Sequence, residues 1–339
     1  MNPKSKEQLG NSEVRITRLG MGGTALGGLY SDLSEDVAIS AVHRALTLGV
    51  NLFDTAPLYG AGKSEARFGK ALSSCARSSF VLATKVGYSL IPTTERQQDI
   101  FFPFENAPPL RPRFDFTYDA TMRSLEESYK RLGIDRVDIV HIHDPDESYA
   151  EAMNGAYVAL HQLRASGTIK AIGAGMNQAA MLVRFAEDGD FDCFLLAGRY
   201  TLLDQSALPE LLPLCAKKQI SVILGGPYNS GILATGASTQ ARFNYIEASP
   251  EIIQKVRSLE AVCARHSTPL KAAALQFPLA HPAVASVIPG ARSAEEIEEN
   301  FRLLSYPIPT GFWQELRQQK LICDEAPVPE PSVDRSEKG

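Results

Sequence analysis

No stretch of the 339-residue chain approaches the roughly 20 consecutive apolar residues that span a bilayer. The opening residues, MNPKSKEQLG, lack the apolar middle of a secretory signal. Cysteine is scarce: Cys75, Cys193, Cys215, Cys263 and Cys323 are scattered, odd in number, and no pair has zinc-ligand spacing. They read as reduced thiols, which makes a cytoplasmic protein the expectation. Runs of Lys and Arg interleaved with aromatics are missing and the formal net charge is −5, so nucleic acid is not an expected partner. What remains is ordinary globular material, 44% hydrophobic and 22% charged. The length is large for one domain, but α/β barrels reach it.

Eight short apolar runs recur along the chain: Arg18–Met21, Val50–Phe53, Phe80–Thr84, Val137–Ile142, Ile169–Ala174, Cys193–Ala197, Ile220–Leu224 and Ala285–Ile288. They lack polar alternation, the mark of strands buried on both faces in a parallel sheet. Between them lie segments with helical spacing. Glu35–Leu48 puts Val37, Ile39, Val42, Ala45 and Leu46 mostly on one face and ends at Gly49. Thr117–Leu132 ends at Gly133, and Glu147–Ala165 ends near Gly167. Ser206–Lys217 and Glu251–His266 complete the clearer helices. Regular strand–helix alternation permits an open doubly wound sheet or a closed barrel. Eight units favour the barrel, so the expected fold is an α/β (β/α)8 TIM barrel.

Two connections are long. Val86–Phe116 is rich in Pro and carries Phe101, Phe102 and Phe104. Gly225–Ser249 is rich in Gly, Ser and Asn. Both follow the C-terminal ends of strands, where barrel active sites sit. The expected domain covers residues 8–323, with a disordered tail over 324–339 that holds Pro327, Pro329, Pro331 and then charges.

Three polar residues stand at the ends of three successive strands: Asp54, Lys85 and His143. In a barrel such positions converge on one pocket. Tyr59 lies on the loop above the first of them. Each residue alone has a plain explanation: a helix cap, a solvated lysine, a packed loop aromatic. Their joint placement suggests chemistry. A phenol has an ordinary pKa near about 10, and a neighbouring ammonium lowers it. Asp54 would offset the burial of the Lys85 charge. The set suits proton transfer at a carbonyl or hydroxyl oxygen while hydride moves at carbon. His141 lies on the same strand face as His143 and one layer deeper, where a hydrogen-bonded core histidine is the expectation.

Asp54-Thr55-Ala56-Pro57-Leu58-Tyr59, the strand-end Lys85 and the strand-end His143 before Asp144-Pro145 resemble the catalytic tetrad of the aldo-keto reductases. The resemblance covers roughly residues 8–305. It implies a barrel that binds a nicotinamide dinucleotide without a Rossmann domain. It implies Tyr59 as general acid/base, Lys85 as its pKa-lowering partner, Asp54 as the partner of Lys85, and His143 as the group that orients substrate.

The resemblance also implies cofactor contacts. Tyr200 matches the residue that stacks on nicotinamide. The family's carboxamide-binding Ser-Asn and Gln are replaced by Gly175-Met176 and Ala197, with Asn177 as a substitute. Gly226, Pro227 and Gly231 resemble the loop that closes on pyrophosphate. Arg292, Glu296, Glu299 and Asn300 resemble the adenosine end, with a helix starting near Ser293 offering free amides. Gly23 and Thr24 are expected to let substrate and nicotinamide approach the backbone; a Rossmann loop there is the weaker reading. Members that prefer NADP carry Lys and Arg where this chain has Gly290 and Glu296. A carboxylate repels a 2′-phosphate and accepts from a ribose hydroxyl, so NAD is the expected cofactor, with NADP held open by Arg292.

The opening GMGGTALGG and the segments HIHDPDE and LLAGRYTLLDQ resemble the branch of D-threo-aldose (L-fucose) 1-dehydrogenases, L-galactose dehydrogenases and pyridoxal 4-dehydrogenase. That implies NAD-dependent oxidation of a cyclic hemiacetal to a lactone, with an aldose or pyridoxal as the small-molecule substrate. An NADPH-dependent aldehyde reductase is the alternative within the family. A metal-dependent barrel hydrolase using His141, His143, Asp144 and Asp146 is the alternative outside it; no metal is expected.

Overall fold

The computed structural model describes residues 1–95, 103–238 and 240–330. Phe101 and Phe102 of the first long loop lie outside the described residues. Eight parallel strands form one sheet: β1 (Met21–Gly22), β2 (Leu52–Asp54), β3 (Val81–Val86), β4 (Ile139–His143), β5 (Ala171–Met176), β6 (Cys193–Ala197), β7 (Ser221–Gly225) and β8 (Val284–Ile288). They neighbour one another in chain order. Parallel bridges Leu19↔Val287 and Gly22↔Gly290 join the first edge to the last and close the barrel. The first strand is shorter than its apolar run; ahead of it Arg18 donates its guanidinium to the carbonyls of Leu279 and Val284, and Leu19 forms a single bridge to Val287.

Helices surround the sheet: α1 (Glu35–Thr47), α2 (Lys63–Leu72), α3 (Tyr118–Leu132), α4 (Val158–Ala165), α5 (Ala179–Asp188), α6 (Leu211–Lys218), α7 (Pro250–Arg265), α8 (Leu270–Gln276), α9 (Ala294–Leu304) and α10 (Thr310–Gln318). Their ends follow local chemistry. Ser34 and Thr117 accept from the amides of Val37 and Ala120 as N-caps, and Gly133 closes α3 with a left-handed φ of 62°. The segment expected to be one helix from Glu147 instead runs through a π-helical turn, Ala152–Tyr157, before α4. The helix expected from Ser206 starts at Leu211, because Asp204 caps a turn at Ser206 and Pro209 follows it.

The barrel interior is apolar at its base. Leu52, Ala83, Ile139, Ala171, Cys193, Ile223 and Ala285 form an inner layer with Leu9, Val14 and Ile16 from an N-terminal hairpin, Lys6–Gln8 paired with Arg15–Thr17. That hairpin seals the barrel floor. Opposite it, the long loops carry two further hairpins, Tyr88–Pro92 with Leu110–Phe114 and Arg242–Phe243 with Ile246–Glu247. The chain does not detach at residue 324 as expected. Ala326 is fully buried and its carbonyl accepts from Arg317, so ordered packing reaches at least Ala326. Residues 331–339 of the expected tail lie outside the described residues.

Candidate active site

Asp54 ends β2, Lys85 stands next to last on β3, and His143 ends β4. Parallel register brings the three to one end of the barrel. Lys85 and Asp54 are buried, and Lys85 Nζ donates to both Asp54 carboxylate oxygens at 2.9 and 2.7 Å. A third bond, at 2.8 Å, goes to the Thr55 carbonyl. All three ammonium protons therefore have acceptors. Burial pushes the Asp54 carboxyl up and the Lys85 ammonium down, each opposed by the charge of the other.

Tyr59 lies over this pair, with Lys85 Nζ 4.6 Å from its ring centroid. His143 meets the Tyr59 ring edge-on at 5.9 Å, and Tyr88 packs on the other side of the imidazole at 5.1 Å. Phe104 stacks on the Tyr59 ring at 6.2 Å. The four residues singled out from the sequence thus converge on one pocket, walled by aromatics from the long loop after β3.

The expected lowering of the Tyr59 pKa is not what this arrangement produces. Burial raises the phenol well above its ordinary value, and the charges of Asp54 and Asp144 push the same way. Lys85 does not offset this, because its charge is already matched by Asp54. Tyr59 is therefore a neutral phenol, ready to donate. His143 is held well below its ordinary pKa by burial and by Lys85 and is a neutral imidazole. Its Nδ1 has no partner among the described residues. His141 is fully buried, and neither ring nitrogen finds a hydrogen-bond partner among the described residues, so the expected hydrogen-bonded core histidine is corrected. Gly173 makes room for it: a Cβ there would stand 2.4 Å from His141 Nδ1 and 2.5 Å from the Cys193 carbonyl oxygen.

The residues named for cofactor contacts fall into three groups. Gly226 takes a left-handed φ of 59° at the end of β7, beside Pro227, and a Cβ on it would touch only Gly198 N, at 3.7 Å. Gly231 leaves open space around its missing side chain. Thr24 adjoins Gly290 where the first and last strands meet. These remain open to a ligand. Arg292 and Glu296 form a second group at the start of α9. Ser293 accepts from the Glu296 amide, and Glu296 accepts from the Arg292 amide at 2.9 Å and its guanidinium at 3.1 Å. Arg292 also donates to Ser31, tying the last strand's loop to the first.

The third group is spoken for by the protein. Tyr200 is fully buried, packed on Phe277 at 5.2 Å and edge-on to His281 at 5.7 Å, and presents no open face. Asn300 is buried and accepts from the Tyr228 hydroxyl at 2.6 Å. Glu299 pairs with Lys271 at 2.6 Å. Asn177 spends its amide on Asp144. Gly23 is small for internal reasons, since a Cβ would stand 2.6 Å from both the Asp54 carbonyl oxygen and Ser64 Oγ. Of the parts of this pocket, sequence reasoning named Asp144 only as a ligand in the metal-hydrolase alternative, and missed Tyr88. The signal for the first was its place directly after His143.

Among the described residues no three His, Cys, Asp or Glu side chains converge as a metal site requires, which leaves the hydrolase reading without a ligand set. All five cysteines are free. No helix of the described residues is long and apolar enough to cross a membrane.

Polar groups on successive strand ends, a neutral phenol above a buried ion pair and a neutral imidazole beside it define a barrel oxidoreductase. The chain belongs to the aldo/keto reductase family, whose model matches residues 18–320. It is 36% identical to a pyridoxal 4-dehydrogenase of Microbacterium luteolum over 95% of this chain and 99% of that one. It is 37% identical to a D-threo-aldose 1-dehydrogenase of a Pseudomonas species, covering 91% of this chain and 95% of that one. An L-galactose dehydrogenase of Arabidopsis thaliana is 29% identical over 91% of this chain and 90% of its own. In three dimensions the chain resembles a holo-form aldo-keto reductase of Bacillus halodurans, with a TM-score of 0.75 at 25% identity over 96% of this chain and 98% of that one. It thus has the family fold, a TIM barrel.

Proposed function

We propose that this enzyme oxidises the cyclic hemiacetal of an aldose to a lactone and uses NAD as the hydride acceptor. The observation that carries the reading is the joint placement of Tyr59 over the Lys85–Asp54 pair with His143 at its edge. His143 hydrogen-bonds the reacting oxygen and Tyr59 exchanges its proton. Lys85 and Asp54 form a neutral floor that holds the phenol in place. NAD, when bound, supplies the acceptor for the anomeric hydride. As a phenol Tyr59 is an acid, and in the oxidative direction it must first release its proton to solvent before it takes the one on the substrate hydroxyl. The positive charge of an oxidised nicotinamide beside it favours that loss.

The residues present fit such a cofactor. Gly226 and Gly231 leave backbone open just beyond the seventh strand, and Thr24 and Gly290 adjoin one another where the first and eighth strands meet. Arg292 is matched by Glu296, which disfavours a 2′-phosphate and supports NAD over NADP. The aldose reading draws on the likeness to D-threo-aldose 1-dehydrogenase. Pyridoxal is the second candidate, supported by the likeness to pyridoxal 4-dehydrogenase over nearly its whole length.

The test is NADH formation, followed by absorbance, with L-fucose, L-galactose, D-arabinose and pyridoxal, each with NAD and NADP. Turnover of an aldose with NAD is expected. No turnover of any of the four, alongside NADPH-driven reduction of simple aldehydes, overturns the reading.

A further inference from the structure

We infer that Asp144 is the specificity-determining residue of this pocket: its carboxylate accepts a hydrogen bond from the hydroxyl on the carbon next to the reacting carbinol, so the enzyme selects substrates with two neighbouring oxygens. This rests on the hemiacetal reading above.

Asp144 directly follows β4 and adopts a left-handed φ of 41°. A residue with a Cβ occupies that region at a cost, and such strain persists where the surrounding structure enforces it. Here the Asp144 amide donates to the Gly175 carbonyl at 2.9 Å and pins the turn. The side chain is thereby placed beside the tetrad, with Oδ2 3.7 Å from His143 Nε2.

The carboxylate is short of partners. Its side chain is 22% exposed, and no Lys or Arg forms an ion pair with it among the described residues. Arg199, which reaches the Asn177 carbonyl next to this site, is committed to that carbonyl, Asp204 and Asn244. Asn177 Nδ2 reaches both Asp144 oxygens only at 3.3 Å, a long and divided hydrogen bond. The Asn177 backbone amide adds a further bond, and an ionised carboxylate offers about four acceptor positions, so some capacity is left unused. Its remaining acceptor positions are available to a donor that enters the pocket. The Tyr59 and Tyr88 rings pack on the same His143 imidazole that Asp144 Oδ2 approaches, which places the carboxylate beside the tetrad at their edge.

The geometry selects the donor. His143 hydrogen-bonds the reacting oxygen. His143 Nε2 and Asp144 Oδ2 stand 3.7 Å apart, close enough for one substrate to meet both, with the reacting oxygen at Nε2 and the oxygen on the adjoining carbon at Oδ2. In an aldose that is the 2-hydroxyl beside the anomeric hydroxyl. A simple aldehyde has nothing to offer there.

The experiment compares L-fucose with 2-deoxy-L-fucose, and both with 4-nitrobenzaldehyde reduction, in the wild type and in Asp144→Asn. In the wild type, loss of the 2-hydroxyl should lower kcat/KM about 10-fold or more, mainly through KM, as expected for a charge-assisted hydrogen bond. In Asp144→Asn the gap between the two sugars should shrink to within about threefold, and the ratio of L-fucose to nitrobenzaldehyde kcat/KM should fall by about tenfold. A wild type that ignores the 2-hydroxyl overturns the assignment without any variant, so a misfolded Asp144→Asn does not shield it. A gap that persists in the variant, or two activities that fall in proportion, also overturns it, leaving Asp144 a brace for the Asn177 turn. If the wild type oxidises no aldose at all, the hemiacetal reading fails and this one with it.

Discussion

Lys85 Nζ sits between the two carboxylate oxygens of Asp54, at 2.7 and 2.9 Å, while the same ammonium faces the Tyr59 ring at 4.6 Å. The pair is buried, so its members depend on each other. Lys85→Met leaves a buried, uncompensated carboxylate and should destabilise the fold by about 3 kcal/mol. Adding Asp54→Asn should restore most of that stability while activity stays lost. Urea unfolding of the single and double variants measures this. Equal stability of Lys85→Met and wild type would refute the picture of a mutually dependent pair.

Tyr59→Phe removes the hydroxyl and keeps the ring that stacks on Phe104. Turnover should fall by about 10²–10⁴-fold. Cofactor affinity, read by quenching of intrinsic fluorescence, should change little. A loss seen only in KM would mean that Tyr59 binds substrate and does not exchange its proton.

Burial, with Asp146 adding to it, raises the Asp144 carboxyl to about 6, while Lys85 and Asn177 act the other way. Tyr59, Tyr88 and Tyr245 face it but stay neutral, and His143 is held well below its ordinary value, so neither titrates near this pH. The aldose KM should therefore rise as pH falls through about 6. Asp144→Asn should flatten that rise. Stability moves the opposite way. The folded carboxyl holds its proton up to about 6 and the unfolded one only to about 3.8, so stability is lost as pH rises between them. Asp144→Asn should raise Tm by about 1–3 °C at pH 7.5 and by less at pH 4.5. Thermal scans at the two pH values check the sign.

Glu296→Arg replaces the partner of Arg292 with a second cation. The NAD/NADP ratio of kcat/KM should fall by about tenfold as a 2′-phosphate becomes welcome. An unchanged ratio would remove Glu296 from the account of cofactor choice.

Gly173→Ala would drive a methyl into His141 Nδ1 and the Cys193 carbonyl. Overpacking of this kind costs about 1–3 kcal/mol. Chemical denaturation should show it, and a neutral result would mean that the His141 ring has room to move.

The eight strands were legible because each is buried on both faces and reads as an uninterrupted apolar run. The convergence of Asp54, Lys85 and His143 was legible because strand-end position is a property of local sequence. The outer parts of the pocket were not. Tyr200 looks like an aromatic free to stack, yet Phe277 and His281, far along the chain, cover it. Asn300 reads as a ligand contact until Tyr228, 72 residues earlier, claims its oxygen. The Tyr59 phenol is raised first by burial and then by the charges of Asp54 and Asp144, contributions from distant parts of the chain that adjacency to one lysine does not reveal. The π-helical turn before α4 left no mark in a helix-periodic segment.

The N-terminal hairpin packs Leu9, Val14 and Ile16 into the base of the barrel. That plug closes the interior at the end opposite Asp54, Lys85 and His143. Anything that reaches Tyr59 must come and go past the two long loops, so a hairpin that touches none of the four residues decides the side from which they can be approached.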